Sequence, residues 1–367
     1  MLVECGADVA AQNKDGKTPL HLVSQNGQLE VACMLVERCA DVATQNKDGE
    51  TPLHLASQYG QVEVARMLVE RGADVAAQNK DGETPLHLAL QKGRVEVACM
   101  LVERGADVAA QNKHGDTPLH LASQNRLVEV ARMLVERGAY VAAQNKHWKT
   151  PLHLESQFGL VEVSRMIIER GADVAVQNKD GDTPLHLASE NGEVEVARML
   201  IERGTDLAAQ NKDGDTPLHL ASQNGEVEVA RMLIERGADV AAQNEDGETA
   251  LHLASRFGEV EVTRMLIECD AGVSAQTKHG ETPLHFASMP DSNEIELDDI
   301  ELQGLAEVSR TLLGQGADVN AKNKDGLTPF FLASQSQYAD DPRLKVLLDH
   351  GAIDSGDGAG ESERTST

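Results

Sequence analysis

The chain is 367 residues long and carries a formal net charge of −27, with 33 Lys and Arg set against 60 Asp and Glu. No block of basic residues interrupts the acidity, which argues against nucleic acid and against an anionic membrane surface, since both need a cationic stripe. Aromatic residues make up 2% of the chain, so the interior must be filled by Leu, Val, Ile, Ala and Met.

From its first residue the chain reads as periodic. Met1-Leu2-Val3-Glu4-Cys5-Gly6-Ala7-Asp8 has the pattern of a helix end, and Met1 is in register with Met34, Met67, Met100, Met133, Met166, Met199, Met232 and Met265, each 33 residues after the last. Residues 1–12 are therefore expected to be a partial repeat: truncation of a longer protein or a misplaced start is the favoured reading, and the alternative is an array that begins uncapped and is aggregation-prone at that end. The quartet Thr-Pro-Leu-His then recurs at the same period at Thr18, Thr51, Thr84, Thr117, Thr150, Thr183 and Thr216. It continues as Thr-Ala-Leu-His at Thr249, Thr-Pro-Leu-His at Thr282 and Thr-Pro-Phe-Phe at Thr328. A fixed period of this size implies stacked supersecondary units, each touching only its neighbours.

One unit, residues 211–243, gives the local prediction. Asn211 to Gly214 form a turn; Thr216 caps a short helix with Pro217 in its first turn, and Leu218, Leu220 and Ala221 form its buried face. Asn224-Gly225 ends that helix. A second helix follows with Val227, Val229, Ala230, Leu233 and Ile234 on its apolar side, closed by Gly237. Ala238 to Gln243 then run extended into the next turn.

A turn glycine, Thr-Pro-Leu-His-x-Ala, a second glycine turn and Leu-Leu-x-x-Gly-Ala-Asp together resemble the ankyrin repeat, over residues 13–352 as about ten repeats. The resemblance implies an all-α repeat solenoid of stacked helix-turn-helix units with projecting β-hairpin loops. It also implies that partners bind through the hairpin tips and the exposed face of the first helix, which form a concave groove.

The cysteines (Cys5, Cys33, Cys39, Cys99 and Cys269) show no CxxC pair and no metal-like spacing. Cys33 and Cys99 stand where other repeats carry Arg66, Arg132 or Arg231, the pattern of free thiols in a reducing cytoplasmic or nuclear compartment. No apolar run approaches bilayer-spanning length, and no signal peptide opens the chain. Nine of the 13 histidines belong to the quartets, from His21 to His285. Successive repeats packed roughly 8–10 Å apart hold these rings too far apart to share a zinc ion, so hydrogen bonding around the cap threonine is expected instead. No GxGxxG, Walker-type, HExxH or GxSxG motif occurs. No catalytic, cofactor-binding or metal-ligating residue is expected, and no cofactor.

The informative positions are those where repeats differ. Tyr59, Phe158 and Phe257 lie 99 residues apart, just before the turn between the two helices, where other repeats carry Asn26, Lys92, Asn125, Asn191 or Asn224. The resemblance places this position on the groove, so the rings are candidate anchors for an elongated partner; passive duplication of three-repeat blocks explains the spacing equally well. Between residues 126 and 158, Arg126 and Trp148 replace glycines, Tyr140 replaces the Asp of Gly-Ala-Asp, and Glu155 replaces a buried Ala. These exchanges predict a weak junction between repeats four and five. Tyr140, His147, Trp148 and Phe158 are either a recognition patch or the product of drift. Cys269-Asp270-Ala271-Gly272 disturbs a further closing turn.

Repeat nine carries an insertion of 13 residues. Its stretch from Asp291 to Gly304 has six acidic and no basic groups, with Ile295, Leu297, Ile300 and Leu302 interleaved, and is expected to be a loop, either solvated or docking a basic partner. The last repeat, lengthened at Tyr338 to Pro342, reads as a cap, and residues 353–367 as a disordered tail. The functional expectation is a monomeric, non-catalytic scaffold binding a protein with a basic surface. The alternative is the sensor or targeting arm of a larger enzyme or signalling protein.

Overall fold

The computed structural model describes residues 8–289, 299–336, 338 and 340–353. The expected helix end at residues 1–7 and the tail from 354 lie outside the described residues. Two compact units are present, residues 1–179 and 180–367. The first contains α1 (Pro19–Asn26), α2 (Leu29–Glu37), α3 (Pro52–Tyr59), α4 (Val62–Glu70), α5 (Pro85–Gln91), α6 (Val95–Glu103), α7 (Pro118–Gln124), α8 (Val128–Glu136), α9 (Pro151–Phe158) and α10 (Val161–Glu169). The second contains α11 (Pro184–Glu190), α12 (Val194–Glu202), α13 (Pro217–Gln223), α14 (Val227–Glu235), α15 (Ala250–Arg256), α16 (Val260–Glu268), α17 (Pro283–Ser288), α18 (Asp299–Gly314), α19 (Pro329–Ser334) and α20 (Pro342–Asp349). Within each unit, first helices pack on first helices and second on second, giving the all-helical solenoid that the period implies.

Local chemistry sets each element. Thr51 stands at the N-cap of α3 in extended conformation (φ −90°, ψ 168°), and its hydroxyl accepts the His54 N–H, with Pro52 in the first turn. The two helices of a repeat bury a small-residue seam: Leu53, Ala56, Ala65 and Leu68 are all 0% exposed. Each such leucine withdrawn from water contributes about 1.5–3 kcal/mol. One aromatic enters the core: Phe286 is buried edge-on to His252, with ring centroids 5.1 Å apart.

The projecting loops are tight turns, and among the described residues they carry no strand. One backbone bond per step joins each to the next: Lys47 N–H donates to Asp15 O, Lys80 to Asp48, Lys113 to Asp81, Lys146 to His114 and Lys179 to His147, at 2.8–2.9 Å. The turn glycines are required twice over. Gly49 has φ +80°, and a Cβ there would lie 2.9 Å from Lys80 N. Trp148 nonetheless occupies the equivalent position at φ 57°, and Arg126 (56°), Cys39 (64°) and Asp270 (63°) occupy other glycine positions in the same left-handed region.

The loop expected across 291–304 is corrected in its later part. Residues 290–298 lie outside the described residues, but from Asp299 the chain is helical, and the opening of α18 is residues 299–304. Leu302, Leu305 and Ala306 are buried at helical spacing, which turns an apparently solvated stretch into a packed helix. Gly304 permits the approach, since a Cβ on it would lie 3.1 Å from Gly258 O.

The last repeat is held by a buried ion pair. Arg343 is 0% exposed; its Nε and Nη2 donate to Asp341 Oδ1 and Oδ2 (3.0 and 2.7 Å), and Nη1 donates to Met289 O (2.9 Å). Burial pushes the Asp341 carboxyl up, but hydrogen bonds and charge from Arg343 outweigh it and hold the carboxyl below its ordinary value.

Asp341→Ala leaves the guanidinium buried without its counter-charge, a loss of about 3–5 kcal/mol. Hydrogen exchange in α20 should accelerate accordingly, and unchanged protection would show that the pair is dispensable. Trp148→Gly relieves a left-handed residue whose side chain is half in solvent. It should raise stability by about 1–2 kcal/mol in urea unfolding, and a destabilised variant would mean that the indole makes compensating contacts.

Candidate partner-binding surface

The surface is built on the link between Thr, His and the next turn. Thr18 N–H donates to His21 Nδ1 (3.1 Å), and Thr18 Oγ1 lies 2.8 Å from the same nitrogen. A backbone N–H can only donate, so Nδ1 accepts and the ring proton sits on Nε2. That nitrogen donates to Glu50 O, 3.0 Å away in the next hairpin. The same link joins His54 to Glu83, His87 to Asp116 and His120 to Lys149 in the first unit, and His186 to Asp215, His219 to Glu248 and His252 to Glu281 in the second. His285 reaches Leu327 O at 3.2 Å across 42 residues instead of 29, so the insertion leaves the link intact. Burial pushes these rings below the ordinary histidine value, His54 and His252 to about 4. The histidines thus serve the stack, and among the described residues no group of three or more His, Cys, Asp or Glu is placed to hold a metal ion.

Supported in this way, the turn tips are exposed: Lys47, Asp48, Lys80, Asp81, Lys113 and His114 reach towards solvent. At the foot of most tips an acid stands before the cap threonine, held by asparagine, whereas Lys17, Lys149 and Leu327 fill that position in the other three. Asn46 Nδ2 donates to Glu50 Oε2 (2.8 Å), Asn79 to Glu83 (3.0 Å) and Asn145 to Asp116 (2.8 Å). In the second unit Asn244 donates to both Asp215 and Glu248 (2.9 and 3.0 Å). Burial is the main cause that raises the Asp215 carboxyl.

The structure separates the six singled-out side chains into two sets. Tyr59 ends α3, Phe158 ends α9 and Phe257 caps α15, all at the turn between helices. Tyr59 (43% exposed) borders a depression of about 310 Å³ with Gly93, Arg94 and Val95. Phe257 is 50% exposed, whereas Phe158 is half-buried, with the Arg126 guanidinium 5.1 Å from its ring centroid. Tyr140 (65% exposed), His147 and Trp148 (55%) belong to the hairpin end instead. Phe158 stands at the far end of α9, about 12 Å along its axis, so the four residues 140, 147, 148 and 158 do not form one patch. Tyr140 borders a second depression, about 360 Å³, with Ala109, Gln111, Ala143 and Gln144.

Sequence reasoning missed what the Asp of Gly-Ala-Asp does. Asp41, Asp74, Asp107 and Asp173 each accept the N–H two residues on (2.8–2.9 Å), an Asx turn that opens the extended segment. Tyr140 gives up that acceptor. The signal was present in the Asp-x-Ala spacing. Glu155, by contrast, was readable as a buried carboxyl but not its partner. It is 0% exposed, and its Oε1 is hydrogen-bonded to Ser123 Oγ, which also bonds Leu119 O (2.8 Å). One hydroxyl proton cannot serve two acceptors, so the arrangement favours a protonated Glu155, and burial raises its pKa to about 8.

Models of ankyrin repeats match residues 1–79, 72–145, 109–178 and 152–244 (three-copy description), 225–267 (many copies) and 279–324 (single repeat). The chain belongs to the ankyrin repeat family, whose repeats are generally protein–protein interaction modules. The comparison with curated proteins gave no match. Among the described residues no helix is long and apolar enough to cross a membrane.

The two kinds of buried group impose opposite pH dependence. A histidine with its folded pKa lowered stabilises fully above its ordinary value of 6.5, and that stability is lost as pH falls towards about 4. Glu155 has a raised folded pKa, so its contribution is present below 4.5 and lost as pH rises through about 8. Each group has a limiting slope of about 1.4 kcal/mol per pH unit. In urea titrations the protein should lose stability as pH falls below 6.5. Glu155→Gln should gain on the wild type progressively between pH 4.5 and about 8, and a constant difference would refute a buried, titrating Glu155.

Proposed function

We propose that this chain is a non-catalytic scaffold that binds another protein through its exposed hairpin tips and the adjoining first-helix face. The observation that carries this reading is the ladder of tips. Backbone bonds fix their positions while their side chains stay in solvent. A partner therefore meets a surface that needs little ordering on binding, which lowers the entropic cost of association.

The acids at the foot of the tips give the surface its sign. Glu50, Glu83 and Asp116 in the first unit, and Asp182, Glu248 and Glu281 in the second, occupy one part-exposed position, which Lys17 and Lys149 fill in two other repeats. With a net charge of −27, this favours a partner with a basic surface and steers its approach. Tyr59 and Phe257, exposed at the inter-helix turns, offer apolar anchorage beyond the charged row. The free cysteines Cys33, Cys39, Cys99 and Cys269 fit a reducing, intracellular setting, in which the chain acts as a monomer.

The test uses the full chain as bait for a partner pool, followed by kinetics on whatever binds. The association rate should fall with added salt. Replacing the tip residues Asp48 and Asp81 by Ser should weaken binding by about tenfold or more, with the fold preserved by circular dichroism. A partner that keeps its affinity after these changes and after Tyr59→Ala and Phe257→Ala would remove the tip and first-helix face from consideration.

A further inference from the structure

One hairpin tip carries no acidic residue at all. It reads Lys146-His147-Trp148-Lys149, where the tips that precede α3 and α5 read Lys47-Asp48-Gly49-Glu50 and Lys80-Asp81-Gly82-Glu83. Lys146 and His147 are exposed, and Trp148 is 55% exposed. Lys149 holds the position at the foot of the tip where the three preceding repeats place Glu50, Glu83 and Asp116, and where the first repeat has Lys17 beside an acidic Asp15. Its Nζ leans towards the first helix, 3.4 Å from Gln157 Oε1. The neighbouring step differs as well. Lys113 has Asp81 beside it, with Nζ and Oδ1 2.9 Å apart, whereas the residue whose carbonyl receives the Lys146 N–H is His114.

The aromatic residues on this hairpin sit where structure gives them no reason to be. Trp148 takes a left-handed conformation (φ 57°) that glycine fills in the other repeats, and Tyr140 discards the Asx turn that Asp41, Asp74 and Asp107 make. Both rings are then left largely in solvent, so neither exchange is offset by burial in the core. Beside Tyr140 lies the depression of about 360 Å³ between this hairpin and the one before it.

We propose that the hairpin tip formed by Lys146, Trp148 and Lys149, with Tyr140 and its adjoining depression, docks an acidic peptide segment of a partner protein, the carboxylates meeting the lysines and an apolar side chain meeting the rings. The proposal rests on the reading of the chain as a binding scaffold, but assigns this tip the opposite charge preference to the rest of the surface. Screening at physiological salt confines the surrounding negative field to about 8 Å, so short-range contacts at the tip decide its specificity. Tryptophan and tyrosine are the side chains that most often carry the binding energy of an interface.

Trp148 is the only tryptophan in the chain, so its emission reports on this tip alone. The full chain is titrated with a short peptide repeating Glu-Glu-Leu, and separately with its Lys-Lys-Leu counterpart. The acidic peptide should shift the emission saturably to the blue, and the basic one should not. Lys146→Glu with Lys149→Glu should weaken acidic-peptide binding by at least about tenfold. By anisotropy of a labelled peptide, Trp148→Gly, which restores the residue of other repeats, should weaken it too. Unchanged emission with the acidic peptide, an equal response to the basic one, or full-strength binding to Trp148→Gly would each overturn the proposal. A basic partner held by the acids at the foot of the other tips is untouched by the double lysine exchange, so the two readings fail separately.

Discussion

The structure depends on a neutral histidine that bonds in two directions. Its Nδ1 takes the N–H of the cap threonine in its own repeat, and its Nε2 proton goes to a carbonyl in the next hairpin. In one such link His54 joins Thr51 N–H to Glu83 O, at 3.0 and 3.1 Å. A charged ring has two donors and no acceptor, so it would lose the threonine bond, and burial keeps the ring neutral. Within the first unit His21, His54, His87 and His120, and within the second His186, His219, His252 and His285, thereby tie the start of one helix to the turn of the following repeat, which helps a chain with so few aromatic residues keep its repeats in register. In the quartet that begins at Thr328 the histidine gives way to Phe331, which is 43% exposed, and no further hairpin follows among the described residues.

Because this link and the hairpin ladder run through backbone atoms and the quartet, other positions are free to change. Trp148 replaces a glycine, yet Lys146 N–H still reaches His114 O, Lys179 N–H still reaches His147 O, and His120 still bonds Lys149 O. The strain is local, and the neighbours hold the repeat. Arg126 shows the same tolerance with a partial return, since its guanidinium lies over Phe158.

What was legible in the sequence is what repeats and what is chemically local. Threonine caps, the proline in the first turn, glycines at positive φ and the apolar seam follow from residue type and spacing. Contacts that depend on a distant partner were not legible. Arg343 looks like a surface residue until Asp341 and Met289 O are seen around it, and the pairing of Glu155 with Ser123 spans 32 residues. The helical start of α18 was hidden for a related reason: its acids suggest solvent, while Leu302 and Leu305 find their burial against a neighbouring repeat.

The two units also differ in chemistry at the entry to the second helix. In the first, Gln61 Nε2 donates to Gln25 O (3.2 Å) and Arg94 Nε to Gln58 O (3.3 Å), so at these two repeats that position fastens one repeat to the previous one, while Leu127 and Leu160 fill it with apolar side chains. In the second it is filled by Glu193, Glu226 and Glu259, which have no proton to donate when ionised. Burial first, and then neighbouring acids, raise Glu226 and Glu259 above their ordinary values. The second unit therefore has, in place of the fastening made by Gln61 and Arg94, a row of mutually repelling carboxylates.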